Sequence, residues 1–273
     1  MPVLVRRMRA DLLLLEKGLA PSRSAAARLI ERGAVRWRQA SRAWQTPRKA
    51  GEDLPAGCEL QVTDDAELRW ASRAGLKLEG ALAVLQMDVQ GVTALDVGQS
   101  TGGFTDVLLA RGALRVVGVD VGHGQLLPRL RADPRVVAFE GVNAKSLRAA
   151  QLGDHLPPHG FDLIVGDVSF ISQTLVWPAL VPLMAPNSHL IMLVKPPFEM
   201  QAKHIGKGGL VKAGAPVHEV ELRLRGVANT LGLTVSAWLP SAITGGDGNA
   251  EYFIVLQAPA ANTSRTNRTK IPA

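Results

Sequence analysis

The chain has 273 residues, 47% of them hydrophobic, with a formal net charge of +7 and a single cysteine, Cys58. This length allows one large domain, or a small domain joined to a medium one. One cysteine excludes an internal disulfide and a cysteine-based metal cluster, and apolar runs shorter than the ~20 residues that cross a bilayer exclude a membrane-spanning helix. We therefore expect a soluble, cytoplasmic protein that binds no metal.

The positive charge is concentrated at the beginning of the chain. Residues 1–50 contain 12 lysines and arginines against three acidic residues, a balance of +9, so the remaining 223 residues carry −2. The run Leu12–Leu15 follows Arg6 and Arg7 but is far too short for an export signal. Such segregation is typical of a module that binds nucleic-acid phosphates, and a merely solvated basic face is the alternative.

The first part of the chain predicts a small domain at residues 1–63. Helices are expected over 9–17 and, after the N-cap Ser22, as far as Gly33. Short strands are expected at 35–37 and 60–62, with a turn between them. Residues 64–74 are polar and predict a linker, and the tail 258–273 has the composition of a disordered segment.

Strand and helix patterns alternate from residue 75 to residue 257. Strands are predicted at 93–97, 115–119, 136–139, 161–166, 189–194, 233–238 and 251–257, and helices at 75–86, 103–111, 172–184 and 216–231. Apolar strands separated by helices indicate a mostly parallel sheet covered on both faces. The expected fold class is α/β, with a Rossmann-like, seven-stranded domain after the small basic one.

A glycine-rich loop follows the first of these strands and leads directly into a helix. Asp120, at the end of the next strand, is spaced to bind the two hydroxyls of a ribose. A diphosphate favours an uncharged helix N-terminus, whereas Asp96 suits a cofactor with a cationic amine or sulfonium, such as S-adenosylmethionine. Ordinary strand–turn–helix packing is the alternative. The predicted cofactor-binding residues are Asp96, Gly98, Ser100, Thr101, Gly102, Gly103, Phe104, Asp120, Val121 and Asp167.

Two later strands end in residues suited to chemistry. Asp167 follows 161–166 and Lys195 follows 189–194, and the carboxyl ends of parallel strands lie side by side near a ligand. A lysine whose pKa is lowered by burial can remove a proton from a hydroxyl during methyl transfer. The sequence from Lys195 to Phe198 is similar to the Asn/Asp-Pro-Pro-Tyr/Phe loop of amino-group methyltransferases. That loop follows the fourth strand rather than the fifth, so amino methylation is the weaker alternative.

Together these motifs resemble the TlyA family of ribosomal RNA methyltransferases, often named haemolysins. The family joins an S4 RNA-binding domain, matched here at residues 9–62, to an FtsJ-like methyltransferase domain. The second match runs from 72–78 through the cofactor loop to 120–126, 167–172, 195–199 and 246–252. The resemblance implies 2′-O-methylation of a cytidine ribose with S-adenosylmethionine as cofactor, and ribosomal RNA or ribosomal subunits as partners.

The FtsJ-like domain uses a Lys-Asp-Lys-Glu tetrad, and the matching residues here are Lys77, Asp167, Lys195 and Glu251. The resemblance implies that Lys195 is the base for the ribose 2′-hydroxyl, oriented by Asp167 and Lys77. Glu251 would hold the lysines or the hydroxyl. Exposed surface charge is the alternative for both Lys77 and Glu251. In the basic domain the predicted RNA-binding residues are Arg9, Arg23, Arg28, Arg32, Arg36 and Arg38.

The chain departs from the family pattern in three places. Gln99 stands where a small residue is expected, which predicts an altered cofactor affinity; no Asn-Gly turn follows Val35; and Pro197 replaces a glutamine. The glycine-containing segment with three lysines, at positions 203, 207 and 212, predicts an RNA clamp or a solvated loop. A membrane-active haemolysin has no supporting segment, and the complete tetrad argues against a non-catalytic assembly factor. The sequence does not indicate an oligomeric state.

Overall fold

A computed structural model of the chain describes residues 6–40, 42–65 and 68–261. The chain forms two compact units, the first ending at Arg73 and the second beginning at Ala74. Each unit has its own cluster of buried apolar residues, as expected of a domain. The tail predicted to be disordered over 258–273 begins too early, because Ala258 is buried and donates its N–H to the Ser188 carbonyl at 3.0 Å. From position 262 onwards it lies outside the described residues.

The N-terminal unit consists of two helices and two antiparallel pairs of short strands. Strand β1 pairs with β3, and β2 pairs with β4. Both predicted helices and both predicted strands are present; β1 and β3 escape prediction because three residues are too few to show an alternating pattern. The elements are β1 (Arg7–Arg9), α1 (Ala10–Glu16), α2 (Arg23–Glu31), β2 (Val35–Arg38), β3 (Asp53–Pro55) and β4 (Glu59–Val62).

A buried carboxylate ties the two helices of this unit together. Asp11 is only 2% exposed, and it accepts hydrogen bonds from the guanidinium groups of Arg9, at 2.8 and 3.0 Å, and Arg23, at 2.9 Å. The hydrogen bonds from Arg9 hold the pKa of Asp11 well below its usual range, against the effect of burial, and Arg23 adds to this lowering. The Asp11–Arg23 ion pair therefore joins the start of α1 to the start of α2.

The second unit is built on one seven-stranded sheet with the order β10-β11-β9-β8-β5-β6-β7. Strands β5 to β9 are parallel to one another, whereas β11 pairs antiparallel with both β9 and β10. The fold-class prediction is confirmed. The elements are α3 (Arg73–Val84), β5 (Thr93–Val97), α4 (Gly103–Ala110), β6 (Arg115–Asp120), α5 (Pro128–Arg131), β7 (Val136–Glu140), α6 (Ala149–Leu152), β8 (Phe161–Gly166), α7 (Gln173–Leu180), β9 (Met184–Val194), α8 (Val217–Thr230), β10 (Thr234–Pro240) and β11 (Tyr252–Gln257).

The strand order reverses between β5 and β8. The chain runs outward from β5 through β6 to β7 and then returns to place β8 on the other side of β5. Connections that leave in opposite directions from adjacent strands open a crevice beyond their carboxyl ends, which is where ligands bind in open parallel sheets. The glycine-rich loop after β5 and the Asp167 loop after β8 border this crevice.

The remaining differences from the predicted elements have local causes. The helix predicted over 172–184 ends at Leu180, and a 3₁₀ turn over Val181–Leu183 follows, because Pro182 lacks the N–H that would continue the helix. Strand β9 begins five residues earlier than predicted, at Met184. Helix α3 takes in the last two residues of the predicted linker.

Neither a membrane-spanning helix nor a cluster of metal ligands occurs among the described residues. No helix within the described ranges has the length and apolar character needed to cross a membrane. Within the same ranges, His, Cys, Asp and Glu side chains form no group of three or more placed to hold a metal ion.

Replacing Asp11 by asparagine should loosen the N-terminal unit. The substitution leaves two guanidinium groups without their charged acceptor, and hydrogen bonds to charged groups contribute roughly 1.5–3 kcal/mol each. Hydrogen exchange at neutral pH should show faster exchange of amides in α1 and α2, with β5 as an unchanged internal control. Because the pKa of Asp11 is depressed, the difference from wild type should shrink as the pH falls into the acid range. Equal protection of the two helices in both proteins would contradict this role.

Candidate active site

Asp96 holds the end of the glycine-rich loop through hydrogen bonds to Thr105. It is 1% exposed, and its Oδ2 accepts hydrogen bonds from the backbone N–H of Thr105, at 3.0 Å, and from the Thr105 hydroxyl, at 2.6 Å. Its Oδ1 is buried and has no hydrogen-bond partner within the described part of the chain. Burial raises the pKa of Asp96 to about 7, against the Thr105 hydrogen bonds, and the nearby carboxylates of Asp167 and Asp120 act in the same direction as burial.

Gln99 fits against the neighbouring strand β6 because residue 118 of that strand is a glycine and has no side chain. Its amide donates to the Thr105 hydroxyl at 2.9 Å, and a Cβ placed on Gly118 would lie 2.0 Å from its Cδ. The side chain is 6% exposed, and Gln99 is not among the residues that line the adjoining cavity. Gln99 therefore braces the loop from the protein side, and the structure gives no contact through which it would alter cofactor affinity directly.

A cavity of about 530 Å³ opens at the reversal of strand order, a volume in the range of small-molecule sites. Gly98 has φ +81°, and a Cβ there would meet the Asp167 carbonyl oxygen at 2.6 Å, so only glycine fits between the two loops. The Asp120 carboxylate accepts hydrogen bonds from the N–H groups of Ser100, at 2.8 Å, and Gly122, at 2.7 Å, which fix its orientation.

The cavity fits a cationic nucleoside cofactor. Two acidic residues, Asp120 and Asp167, line its wall, and the unpartnered oxygen of Asp96 lies buried beneath the loop. A carboxylate in a partly buried site that is bound only by neutral N–H groups, as Asp120 is among the described residues, favours a positively charged ligand. Exposed Val121, also in the wall, offers an apolar surface for a base. The site thus suits the charge and the shape of S-adenosylmethionine.

The structure separates the predicted cofactor residues into two groups. Gly98, Ser100, Asp120, Val121 and Asp167 line the cavity, whereas Asp96, Thr101, Gly102, Gly103 and Phe104 do not. Phe104 instead packs its ring against that of Phe253, with the centroids 6.1 Å apart. Lining residues that were not among the predicted cofactor residues are Val119, Gln125, Val142, Asn143, Ala144, Val168, Ser169, Phe170 and Ile171. Their position at or after the ends of strands β6, β7 and β8 is the signal that could have identified them.

The four tetrad residues form two ion pairs. Lys195 Nζ lies 2.6 Å from Asp167 Oδ1 and donates to the Ser169 hydroxyl at 2.7 Å. Lys77 Nζ lies 2.5 Å from Glu251 Oε2, with side-chain exposures of only 9% and 6%. Surface charge is therefore the wrong interpretation for Lys77 and Glu251. Each charge is retained in a partly or largely buried place because its partner compensates the loss of hydration.

A second, smaller pocket brings the two ion pairs together. It has a volume of about 250 Å³, and its wall consists of Lys77, Ser169, Lys195, Pro197, Phe198, Gly246, Asp247, Asn249 and Glu251. Ser169 lines both this pocket and the larger cavity. A group entering the smaller pocket would thus meet Lys195 beside the opening to the cofactor cavity.

Glu199 and a pair of aromatic rings connect the loops after β8 and β9. The Glu199 carboxylate accepts hydrogen bonds from the Ser172 hydroxyl, at 2.7 Å, the Gln173 N–H, at 2.6 Å, and Arg223, at 2.5 Å. The rings of Phe170 and Phe198 lie 4.9 Å apart between centroids. Phe170 is 89% exposed and has φ +63°, a conformation that bulky residues rarely adopt. The two loops that carry Asp167 and Lys195 are therefore held in one arrangement.

The predicted RNA-binding arginines fall into three places on the N-terminal unit. Arg9 and Arg23 share Asp11, and Arg28 and Arg32 lie at the end of α2. Arg36 and Arg38 share one face of β2, with their guanidinium carbons 4.7 and 4.6 Å from the ring centroid of Trp44. Trp44 was not predicted, and cation–π contact with two arginines makes it the centre of this basic face.

The reversed strand order, the glycine loop, Asp120 at the end of the next strand and the adjacent lysine–carboxylate pairs are the features of an S-adenosylmethionine-dependent methyltransferase. Residues 70–258 match the family of FtsJ-like methyltransferases. The chain belongs to the TlyA family of FtsJ-like methyltransferases, which confirms the resemblance seen in the sequence.

The relatives support this assignment over most of the chain. The chain is 42% identical over 260 residues to the 16S/23S rRNA (cytidine-2′-O)-methyltransferase TlyA of Mycobacterium tuberculosis, covering 93% of this chain and 91% of that one. It is 31% identical to the 23S rRNA (cytidine-2′-O)-methyltransferase TlyA of Campylobacter jejuni, covering 73% and 74%. A solved structure of a provisionally named hemolysin from Streptococcus thermophilus superposes with a TM-score of 0.70 at 34% identity, covering 95% and 92%.

Replacing Gly118 by alanine should destabilise the catalytic unit through Gln99. The new methyl group overlaps the Gln99 amide, which would have to leave its hydrogen bond to Thr105, and overpacking of a buried site costs roughly 1–3 kcal/mol. Chemical denaturation should show this loss in Gly118→Ala. The double variant Gln99→Ala/Gly118→Ala should be more stable than Gly118→Ala alone. An equal or lower stability of the double variant would show that the two positions are not coupled in this way.

Replacing Asp96 by asparagine should change the pH dependence of stability. Because the pKa of Asp96 rises from 3.8 to about 7 on folding, the native state binds the extra proton between these values. The free energy of unfolding of the wild type therefore falls as the pH rises through this interval. Asparagine mimics the protonated carboxyl. The free energy of unfolding of Asp96→Asn, relative to that of the wild type, should therefore increase by about 2–4 kcal/mol between pH 4 and pH 8.

The measurement for Asp96 is urea denaturation of the cofactor-free protein at both pH values. Asp154→Asn is the control, because it removes the same formal charge from an exposed position. An identical pH dependence in Asp96→Asn and the wild type would show that Asp96 does not take up a proton on folding.

Proposed function

We propose that the protein transfers a methyl group from S-adenosylmethionine to the ribose 2′-hydroxyl of a cytidine in ribosomal RNA. The observation that carries this proposal is the Lys195–Asp167 ion pair, placed beside the wall that the two pockets share. The relatives from M. tuberculosis and C. jejuni, which are named for this reaction, support it over most of the chain.

Each residue of the site has a distinct task in this proposal. Gly98, Ser100, Asp120, Val121 and Asn143 would hold S-adenosylmethionine, which when bound supplies an electrophilic methyl group. Lys195, as the neutral amine, would accept the proton of the 2′-hydroxyl, so that the oxygen could take the methyl group and S-adenosylhomocysteine could leave. Asp167 and Ser169 fix the position of the Lys195 amine. Lys77 and Glu251, on the far side of the smaller pocket, orient the ribose.

The smaller pocket and the rings beside it fit a nucleotide turned out of its stack. Exposed Phe170 presents an aromatic face next to Ser169, and unstacked bases in RNA are commonly held on aromatic side chains. Methylation of a base amino group is less well supported, because the pocket directs two lysines and two carboxylates toward the entering group rather than a set of neutral amide acceptors.

The N-terminal unit would act as an S4-like RNA-binding domain over residues 1–63, joined through the linker 64–74. Its arginines at positions 28, 32, 36 and 38, together with Trp44, provide the basic and aromatic surface that phosphate contact and base stacking require. Arg9 and Arg23 would contribute with the part of each guanidinium that Asp11 leaves accessible. We place this activity in the cytoplasm, where ribosomal subunits are found.

The test of the proposed function compares the wild type with two variants of Lys195. Lys195→Ala removes the amine, and Lys195→Arg keeps the positive charge beside Asp167 but cannot act as a base, since a guanidinium stays protonated. With labelled S-adenosylmethionine and unmethylated ribosomal subunits, both variants should lose about 10²–10⁴-fold in kcat, the usual contribution of a positioned base. Calorimetric binding of S-adenosylhomocysteine should stay unchanged in both.

Digestion of the labelled RNA to nucleosides then identifies the product. Label in 2′-O-methylcytidine is the expected result. Label on a base would overturn the ribose assignment, and full activity of Lys195→Arg would overturn the role of Lys195 as the base.

A further inference from the structure

A small hairpin lies between the loop after β9 and helix α8. Residues 203–212 fold back on themselves through backbone hydrogen bonds from Lys212 N–H to the His204 carbonyl, at 2.9 Å, and from Gly206 N–H to the Leu210 carbonyl, at 2.7 Å. An isolated bridge pairs Ile205 with Val211 between these bonds. The segment is therefore a hydrogen-bonded hairpin whose residues are exposed or partly exposed to solvent.

The hairpin carries only positive charge. The stretch from Gln201 to Gly214 contains three lysines and one histidine and no aspartate or glutamate. The lysines at 203, 207 and 212 are all exposed, and Lys207 lies at the tip. Residues 74–261 contain 14 lysines and arginines against 15 aspartates and glutamates, a balance of −1, so the hairpin is a local concentration of positive charge.

A buried asparagine anchors the hairpin to the smaller pocket. Asn249 is 5% exposed; its Oδ1 accepts from the Val211 N–H at 2.8 Å, and its Nδ2 donates to the Gly209 carbonyl at 3.0 Å and to Asp247 at 2.6 Å. The amide thus satisfies both a donor and an acceptor of the hairpin backbone. Asn249 and Asp247 also line the pocket that contains Lys195 and Glu251.

We propose that the hairpin 203–212 binds the phosphate backbone of the RNA strand beside the target nucleotide, and that Asn249 is the positioning residue that holds it there. This inference rests on the proposed function and adds the surface that aligns the RNA with the reaction pocket. Lysines bind phosphates as mobile point charges, whereas the backbone that carries them must be fixed if their contacts are to align the ribose. The Asn249 amide supplies that fixation through two oppositely directed hydrogen bonds.

The first experiment removes two of the hairpin charges, in Lys203→Gln/Lys207→Gln. Methylation of unmethylated ribosomal subunits should show a rise in KM of about tenfold with kcat unchanged, and the dependence of log KM on log salt should flatten by roughly 1.5, which corresponds to two lost phosphate contacts. The matched control is Arg111→Gln/Arg135→Gln, which removes two charges where α4 ends and where β7 begins, at the edge of the sheet opposite the site.

The second experiment tests whether Asn249 acts through the hairpin. Asn249→Ala should raise KM for the subunits and speed hydrogen exchange in residues 203–212, while binding of S-adenosylhomocysteine is unchanged. Asn249→Asp keeps the acceptor for Val211 but loses the donor to Gly209 and sets a second carboxylate against Asp247, so its KM should rise at least as far as that of Asn249→Ala. Combined with the two lysine substitutions, Asn249→Ala should add little to KM, because both changes remove the same contact.

The outcomes separate this inference from the function on which it rests. Absence of 2′-O-methyl label from the wild-type reaction would overturn the proposed function. With that label present, a lysine variant whose KM and salt dependence match those of the arginine control would overturn the hairpin's role. A fall in kcat at constant KM in Asn249→Ala, or full additivity with the lysine substitutions, would overturn the role of Asn249.

Discussion

The ion pair between Asp167 and Lys195 joins the ends of two neighbouring parallel strands, β8 and β9, and both pockets are arranged around it. The backbone before each residue is a buried, hydrogen-bonded strand, so neither charge can move far without disturbing the sheet. A carboxylate and an amine fixed in this way lose little conformational freedom when substrate arrives. That preorganisation is the main contribution a protein can make to a reaction whose electrophile is already reactive.

The distribution of charge around this pair divides the site. On the cofactor side, Asp120 and Asp167 line the cavity, and Asp167 is paired with Lys195. The smaller pocket is lined by two lysines, Lys77 and Lys195, and by two carboxylates, Asp247 and Glu251, so the charges of its wall balance. A preference for RNA phosphates on this side would therefore come from the exposed lysines of the hairpin that Asn249 holds, while Ser169 lines both pockets.

The sequence predicted the central sheet closely because its strands are buried on both faces. Strands at 93–97 and 161–166 were predicted to the residue, since a parallel strand covered by helices is a continuous apolar run bounded by polar or glycine residues. Prediction was poorer where proline overrides an apolar pattern, as at Pro182, and where elements have only three residues. The tetrad could be anticipated from order and context, but its grouping into two ion pairs required the fold.

The contacts that sequence reasoning missed join residues on elements distant in the chain. Glu199 connects α7 to the loop after β9, and Gln99 fits only because Gly118, nineteen positions later, has no side chain. Neither relation leaves a periodic or spaced signal in the sequence. The charge count of residues 1–50 was similarly incomplete, because Arg9 and Arg23 form ion pairs with Asp11 inside the N-terminal unit.

The segment from Gly245 to Glu251 connects the Lys77–Glu251 ion pair to the hairpin 203–212. A single turn supplies Glu251 to the Lys77 pair and Asn249 to the hairpin, two residues apart, and it is closed by a hydrogen bond from the Gly245 N–H to the Asn249 carbonyl at 2.8 Å. Because Asn249 and Glu251 share this turn, a displacement of the hairpin would act on the orientation of the buried ion pair. The residue that holds the hairpin and the residue that pairs with Lys77 thus lie two positions apart on one short piece of backbone, which would couple correct seating of the RNA strand to correct geometry at the reacting hydroxyl.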